Sequence, residues 1–129
     1  MTQGWSIDSW RNFWANPSIE IARRRVPTVV QPDVSGYWPT VVEPVRGTEM
    51  YLKRITQFLT LVPNLHITLE EHATNGVDNF LRWSAIGMGS DGPFAFNGVD
   101  RVRLRDGLVL ENRIISDHSI FQFLQNVQV

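Results

Sequence analysis

A chain of 129 residues with 43% hydrophobic and 19% charged side chains suits one globular domain, burying roughly two thirds of its unfolded surface, and is too short for two. Twelve Lys+Arg against thirteen Asp+Glu leave a net charge of -1, without the cationic surplus that drives binding to nucleic acid or acidic membranes. There is no cysteine, which excludes disulfides, thiol nucleophiles and thiolate metal sites and fits a reducing, cytoplasmic setting; no stretch approaches the ~18 apolar residues of a membrane span.

The first helix is expected from Trp5 to Ala15, where Ile7, Trp10, Phe13 and Trp14 recur at spacings of three and four behind a Ser6 or Asp8 cap. Asn16 and Pro17 are expected to open a second, running to about Arg25 before Pro27 and Pro32 stop it. A short strand lies within Val34 to Val42, cut short by Pro39. The strongest helical stripe is Tyr51, Ile55, Phe58 and Val62, broadened by Leu52 and Leu59, in a helix from Thr48 to Leu61 that Pro63 closes. Beyond it the period falls to two, and Leu65–Thr74, Asn79–Met88, Pro93–Arg105 and Leu108–Asp117 read as four strands. Asn75-Gly76, Ser90-Asp91-Gly92 and Asp106-Gly107 are hairpin turns, so antiparallel pairing is expected. Ser119 to Gln125 is left as a strand extension or a helical turn. The expected fold is α+β: one domain over 1–129, three N-terminal helices against the concave face of a curved antiparallel sheet, enclosing a pocket.

Asp33, Trp38-Pro39, Gly47-Thr48-Glu49, Arg82-Trp83, Gly98-Val99-Asp100 and Arg105-Asp106-Gly107 with Asp117, in this order of elements, resemble the SnoaL-like polyketide cyclase and ketosteroid isomerase group of the nuclear-transport-factor-2-like superfamily. The resemblance spans nearly the whole chain and implies a cone-shaped fold, a homodimer formed through the convex sheet face, and small-molecule chemistry without a cofactor. Laid on the isomerase pattern, Asp100 falls where that enzyme keeps a protonated Asp in its oxyanion hole, Trp14 falls near its oxyanion tyrosine, and Trp38 replaces its general base. Against the limonene epoxide hydrolase branch, Ser84 and Ile114 stand where carboxylates are needed, which disfavours epoxide hydrolysis. In some family members an Asp at the position of Asp117 is assigned a role in cyclisation, and related dehydratases pair an Asp with a His.

The candidate residues follow from these two lines of reasoning. Asp100 shares the apolar face of its strand with Gly98, Val102 and Leu104, while Arg101, Arg103 and Arg105 take the other; a carboxyl group there is either raised in pKa for proton donation or held by Asn112 or Ser116. Trp14, Tyr37, Trp38 and Trp83 line a cavity for a small apolar molecule or else pack together, and Asn112, Ile114 and Ser116 point to the same space. His66 and His72 share a face with Thr68 and Glu70 if no bulge intervenes, which makes either a candidate base beside Asp117. Gly87-Met88-Gly89-Ser90-Asp91-Gly92 matches a dinucleotide fingerprint in letters only, since a strand follows it where the motif needs a helix. Arg23-Arg24-Arg25 and the stripe of Arg101, Arg103 and Arg105 read as solvated or partner-facing charge, and no metal site is expected. The function expected is a cyclase, isomerase or dehydratase acting on an apolar, carbonyl-bearing polyketide- or steroid-like substrate; the alternative is a non-catalytic binding or association module.

Overall fold

The computed structural model describes residues 4–129. Helix α1 (Ile7–Ala15) begins at a reciprocal cap in which the Ser6 and Ser9 side chains each accept from the other's backbone N–H. Helix α2 (Ile19–Val29) is capped by Ser18, two residues beyond the expected Asn16 start, and it continues through Pro27 instead of ending before it. Pro27 is exposed, so the carbonyl it fails to satisfy is left to water, and Thr28 Oγ1 ties down the Arg25 carbonyl at 2.7 Å. Burying Ala22 and Val26 on the same helix offsets the ~3 kcal/mol that an interior proline costs.

Strand β1 (Val30–Tyr37) starts four residues earlier than expected and absorbs Pro32 where its pairing with β6 slips, between Val30 and Ser35. A two-residue strand, β2 (Val45–Arg46), pairs with it. Helix α3 (Thr48–Leu61) starts at Gly47, whose φ of 87° suits glycine. Strands β3 (His66–Asn75), β4 (Asp78–Gly89), β5 (Gly92–Arg105) and β6 (Leu108–Ile115) form the antiparallel meander that the turn dipeptides predict. Asp106 and Gly107 both take positive φ in the last turn, and Gly89 and Gly92 close the middle hairpin, so the glycine-rich run is a turn. A 3-10 helix, Ser119–Asn126, follows.

The sheet order is β2-β1-β6-β5-β4-β3, and β1 runs parallel to β6, a pairing that adjacent-hairpin reasoning does not anticipate. The α+β class, the three N-terminal helices and the curved sheet are as expected. The concave face carries Leu81, Trp83, Ala85, Phe96, Val102 and Val109, all buried, beneath Trp10, Val26, Ile55 and Phe58 of the helices. The convex face carries Arg101 and Arg103, as the alternation predicts, but they are ion-paired within the chain, with Glu111 and Asp78; the same face exposes Phe80, Ile86, Met88 and Ile115.

Candidate functional site

The site grows from the two-residue period of β5. Asp100 and Val102 turn to the concave face while Arg101 and Arg103 turn away, which leaves a carboxyl group 5% exposed among aromatic rings. Two neutral donors hold it: Trp83 Nε1–H of β4 donates to Oδ1 at 2.9 Å, and Asn112 Nδ2–H of β6 donates to Oδ2 at 3.1 Å. Asn112 Oδ1 in turn accepts from the Tyr51 hydroxyl of α3 at 2.8 Å, so every donor and acceptor orientation in this chain is fixed.

Removal from water raises the Asp100 carboxyl to about 6, while the hydrogen bonds from Asn112 and Trp83 pull it back. Burial, reinforced by the Asp100 charge, holds the Tyr51 hydroxyl well above the ordinary phenol range. No cation pairs with Asp100 among the described residues. Because each carboxyl oxygen already accepts one bond from the network, a proton arriving on Asp100 is directed away from those donors.

Two adjoining chambers meet at this network. The larger, about 70 Å³, is lined by Trp10, Phe13, Tyr51, Asn112 and Ile114, with Ser9, Arg25 and Val29 towards its mouth. The smaller, about 20 Å³, is lined by Asp100, Trp83, Phe58, Phe121 and Ile67. Trp10, Trp14, Trp38 and Ile114 wall both, and the buried Trp38 Nε1–H has no acceptor, an unpaired state that costs about 1–3 kcal/mol. Together the chambers fall well below the ~300–1,000 Å³ of sites for drug-sized ligands. α1 packs on β3 and α2 on α3, so the two helices flanking the mouth are anchored to different neighbours.

The structure brings together Asp100, Trp14, Trp38, Trp83, Asn112 and Ile114 of the expected residues and places the others elsewhere. Tyr37 lies opposite Arg113 on the convex face, its ring 4.0 Å beneath that guanidinium, because β1 enters the sheet with Gly36, not Tyr37, in the inward phase. A bulge between Leu69 and Glu71 separates the two histidines: His66 pairs with outward Ile86 and His72 with inward Leu81. Both are exposed, His66 Nδ1 meeting the Ala15 carbonyl oxygen at 2.8 Å, and neither lines either of these two chambers; His66 borders a separate surface cleft with Ser18, Leu59 and Val62. Ser116 lies past the end of β6 and donates to the Asn97 carbonyl at 2.6 Å; Asp117 is exposed beside it. Among the described residues, no three His, Asp or Glu side chains gather as a metal ligand set. Tyr51 and Trp10 were legible only as part of helical stripes, although a tyrosine within an apolar stripe needs a partner for its hydroxyl and was in that sense a signal.

The curved sheet closed by three N-terminal helices is the ketosteroid isomerase-like arrangement of the nuclear-transport-factor-2-like fold. The chain belongs to the SnoaL-like domain family, whose model matches residues 10–112. No curated protein matches it in sequence. A protein with a ketosteroid isomerase-like fold from Catenulispora acidiphila, solved with trimethylamine, is similar at 14% identity with a TM-score of 0.75, covering 95% of this chain and 92% of that one. IdmH of Streptomyces antibioticus, a proposed polyketide cyclase, is similar at 18% identity and a TM-score of 0.71, covering 94% and 96%. TerC, crystallised with polyporic acid, is similar at 16% identity and a TM-score of 0.65, covering 82% and 89%. At these identities the likeness is one of fold.

Proposed function

We propose that this protein is a cofactor-free cyclase or isomerase that moves protons on an apolar substrate next to a carbonyl group. The observation that carries the reading is the buried Asp100 carboxyl, raised to about 6 and held by Trp83 and Asn112 at the wall of an aromatic chamber. A group that titrates near neutrality serves as either acid or base. Ionised, Asp100 takes the proton from the carbon beside the carbonyl; the C–H electron pair moves into an enolate and charge builds on its oxygen. Trp38 Nε1–H, without an acceptor of its own, supplies a donor for that oxygen. The protonated Asp100 then returns the proton at a second carbon, giving the isomer; in a cyclisation the enolate carbon instead attacks a second carbonyl carbon of the substrate, the C=O π pair moves onto its oxygen, and Asp100 protonates the resulting alkoxide.

With His66, His72 and Asp117 exposed, this reading gives both halves of the proton transfer to Asp100. The ligands of the relatives, trimethylamine and polyporic acid, are in keeping with a small molecule in this cavity. The exposed Phe80, Ile86, Met88 and Ile115 support a homodimer across the convex face, and the absence of cysteine fits a cytoplasmic setting.

One observation favours a second reading, a small-ligand-binding module without turnover: apart from Asp100, the smaller chamber is lined only by Trp, Phe and Ile. A bicyclic ketone such as 2-tetralone, incubated with the protein in heavy water, separates the two. Catalysed exchange of its α-protons, seen by NMR and reduced at least tenfold by Asp100→Asn, supports the enzyme. Saturable binding without exchange supports the binding module.

A further inference from the structure

The larger chamber has a graded polarity. Its lining runs from the buried Tyr51 and Asn112, through aromatic and aliphatic walls, to the half-buried Ser9 of α1 and the exposed Arg25 of α2, which marks the outer end as its mouth. Arg25 is the one charged side chain in that lining, it is exposed, and no carboxylate pairs with it among the described residues. Helical spacing places it here: Ala22 and Val26 are buried and Val29 is half-buried, so Arg25 borders the inward stripe, with Arg23 and Arg24 exposed beside it. Arg11, Arg82, Arg101, Arg103 and Arg105 have carboxylate partners; of the arginines without one among the described residues, Arg25 is the one that lines the chamber. Asp100, the buried negative group, lies behind Asn112 in the other chamber, so an anion at the mouth does not face it directly.

We propose that Arg25 selects substrates bearing an anionic group, a carboxylate or an acidic enol, which stays at the mouth while the apolar ring system extends inward to Tyr51 and Asn112. This inference rests on the proposed function for a site that continues, past the shared walls Trp10, Trp14, Trp38 and Ile114, into the chamber of Asp100, and adds the charge and orientation of its ligand. A guanidinium suits the role because its planar fork bonds two oxygens of a carboxylate and remains charged at any working pH. The mouth is open to water, so the pair is screened by salt and its effect is modest.

The test compares two probes of one shape, 2-naphthoate and 2-naphthamide, binding to the whole protein and followed by quenching of tryptophan fluorescence at low salt. Arg25→Gln is expected to weaken naphthoate at least threefold and Arg25→Glu more. Arg25→Lys should recover part of the loss, while naphthamide stays within about twofold throughout. Arg24→Gln, on the neighbouring exposed position, serves as the control for diffuse helix charge and should leave naphthoate unchanged. Equal losses for both probes, an equal loss in the Arg24 variant, or no preference for naphthoate in the parent protein would overturn the proposal. If neither probe binds, the ligand-binding reading of the cavity falls with it; if naphthamide alone binds, the site stands and the role of Arg25 is refuted.

Discussion

Trp83 reaches diagonally from β4 across β5 to Asp100, two strand positions from its own partner Gly98, and donates its indole N–H to Oδ1 at 2.9 Å. Gly98 makes this reach possible. A Cβ at that position would lie 2.6 Å from Trp83 Cζ2 and 2.5 Å from the Ile115 carbonyl oxygen, where the indole now crosses the strand. Gly98→Ala is therefore expected to destabilise the domain by about 1–3 kcal/mol. It should also displace the indole from Asp100, which thermal denaturation and a changed tryptophan emission spectrum would register together.

The pH dependence follows from the same carboxyl. Burial raises Asp100 from 3.8 to about 6, so the folded chain retains a proton that the unfolded chain releases in that interval. The contribution of Asp100 to stability is full below about pH 4, falls as pH rises through 6, and above that leaves the domain lower by as much as roughly 3 kcal/mol. In Asp100→Asn this part of the pH dependence should vanish, as denaturant titrations at pH 4 and pH 7 would reveal. The variant should fold while losing at least tenfold in ligand binding or turnover, about 1.4 kcal/mol.

Trp83 also separates a packed core from a working cavity. It is 2% exposed, makes an edge-on contact with Phe96 and walls the smaller chamber. Trp83→Phe retains most of the packing but removes a hydrogen bond that lowers the Asp100 pKa, so the carboxyl should titrate higher than in the parent. Trp83→Ala should cost ~3–5 kcal/mol if its surroundings are simply core. A smaller penalty, with larger loss of binding to an apolar ligand, is the outcome for a cavity wall. Thermal denaturation with and without that ligand distinguishes them.

Steroid isomerisation is not expected. Trp38 stands where the resemblance to ketosteroid isomerase requires a general base, and it is 6% exposed within the aromatic wall, with no carboxylate at that position to take the role. A spectrophotometric assay with a 3-oxo-Δ5-steroid should stay at the uncatalysed rate.

How far the sequence reached depended on the kind of signal. Alternation along β4 and β5 located Trp83 and Asp100 on the buried face, because a two-residue period admits only two orientations. Turn chemistry located the hairpins, since few residues accept positive φ. Bulges were not legible: the slip between Leu69 and Glu71 reverses the phase of one histidine relative to the other and has no compositional mark. The parallel pairing of β1 with β6 joins segments nearly eighty residues apart, beyond any local pattern. Tyr51 and Asn112 were each visible as residues, but their hydrogen bond depends on how α3 lies across the sheet, which amphipathicity does not set. Pro27 was read as a helix stop because the cost of an interior proline is local, whereas the burial that outweighs it is tertiary.

The central claim is that Asp100 is a buried, titrating carboxyl group at a ligand site. Its most direct test is the carboxyl 13C resonance of Asp100, assigned by its absence in Asp100→Asn and followed with pH in the free protein and with 2-naphthamide bound. A midpoint near 6 that moves when the ligand fills the chamber is expected. A midpoint near 4, unaffected by ligand, would contradict the claim.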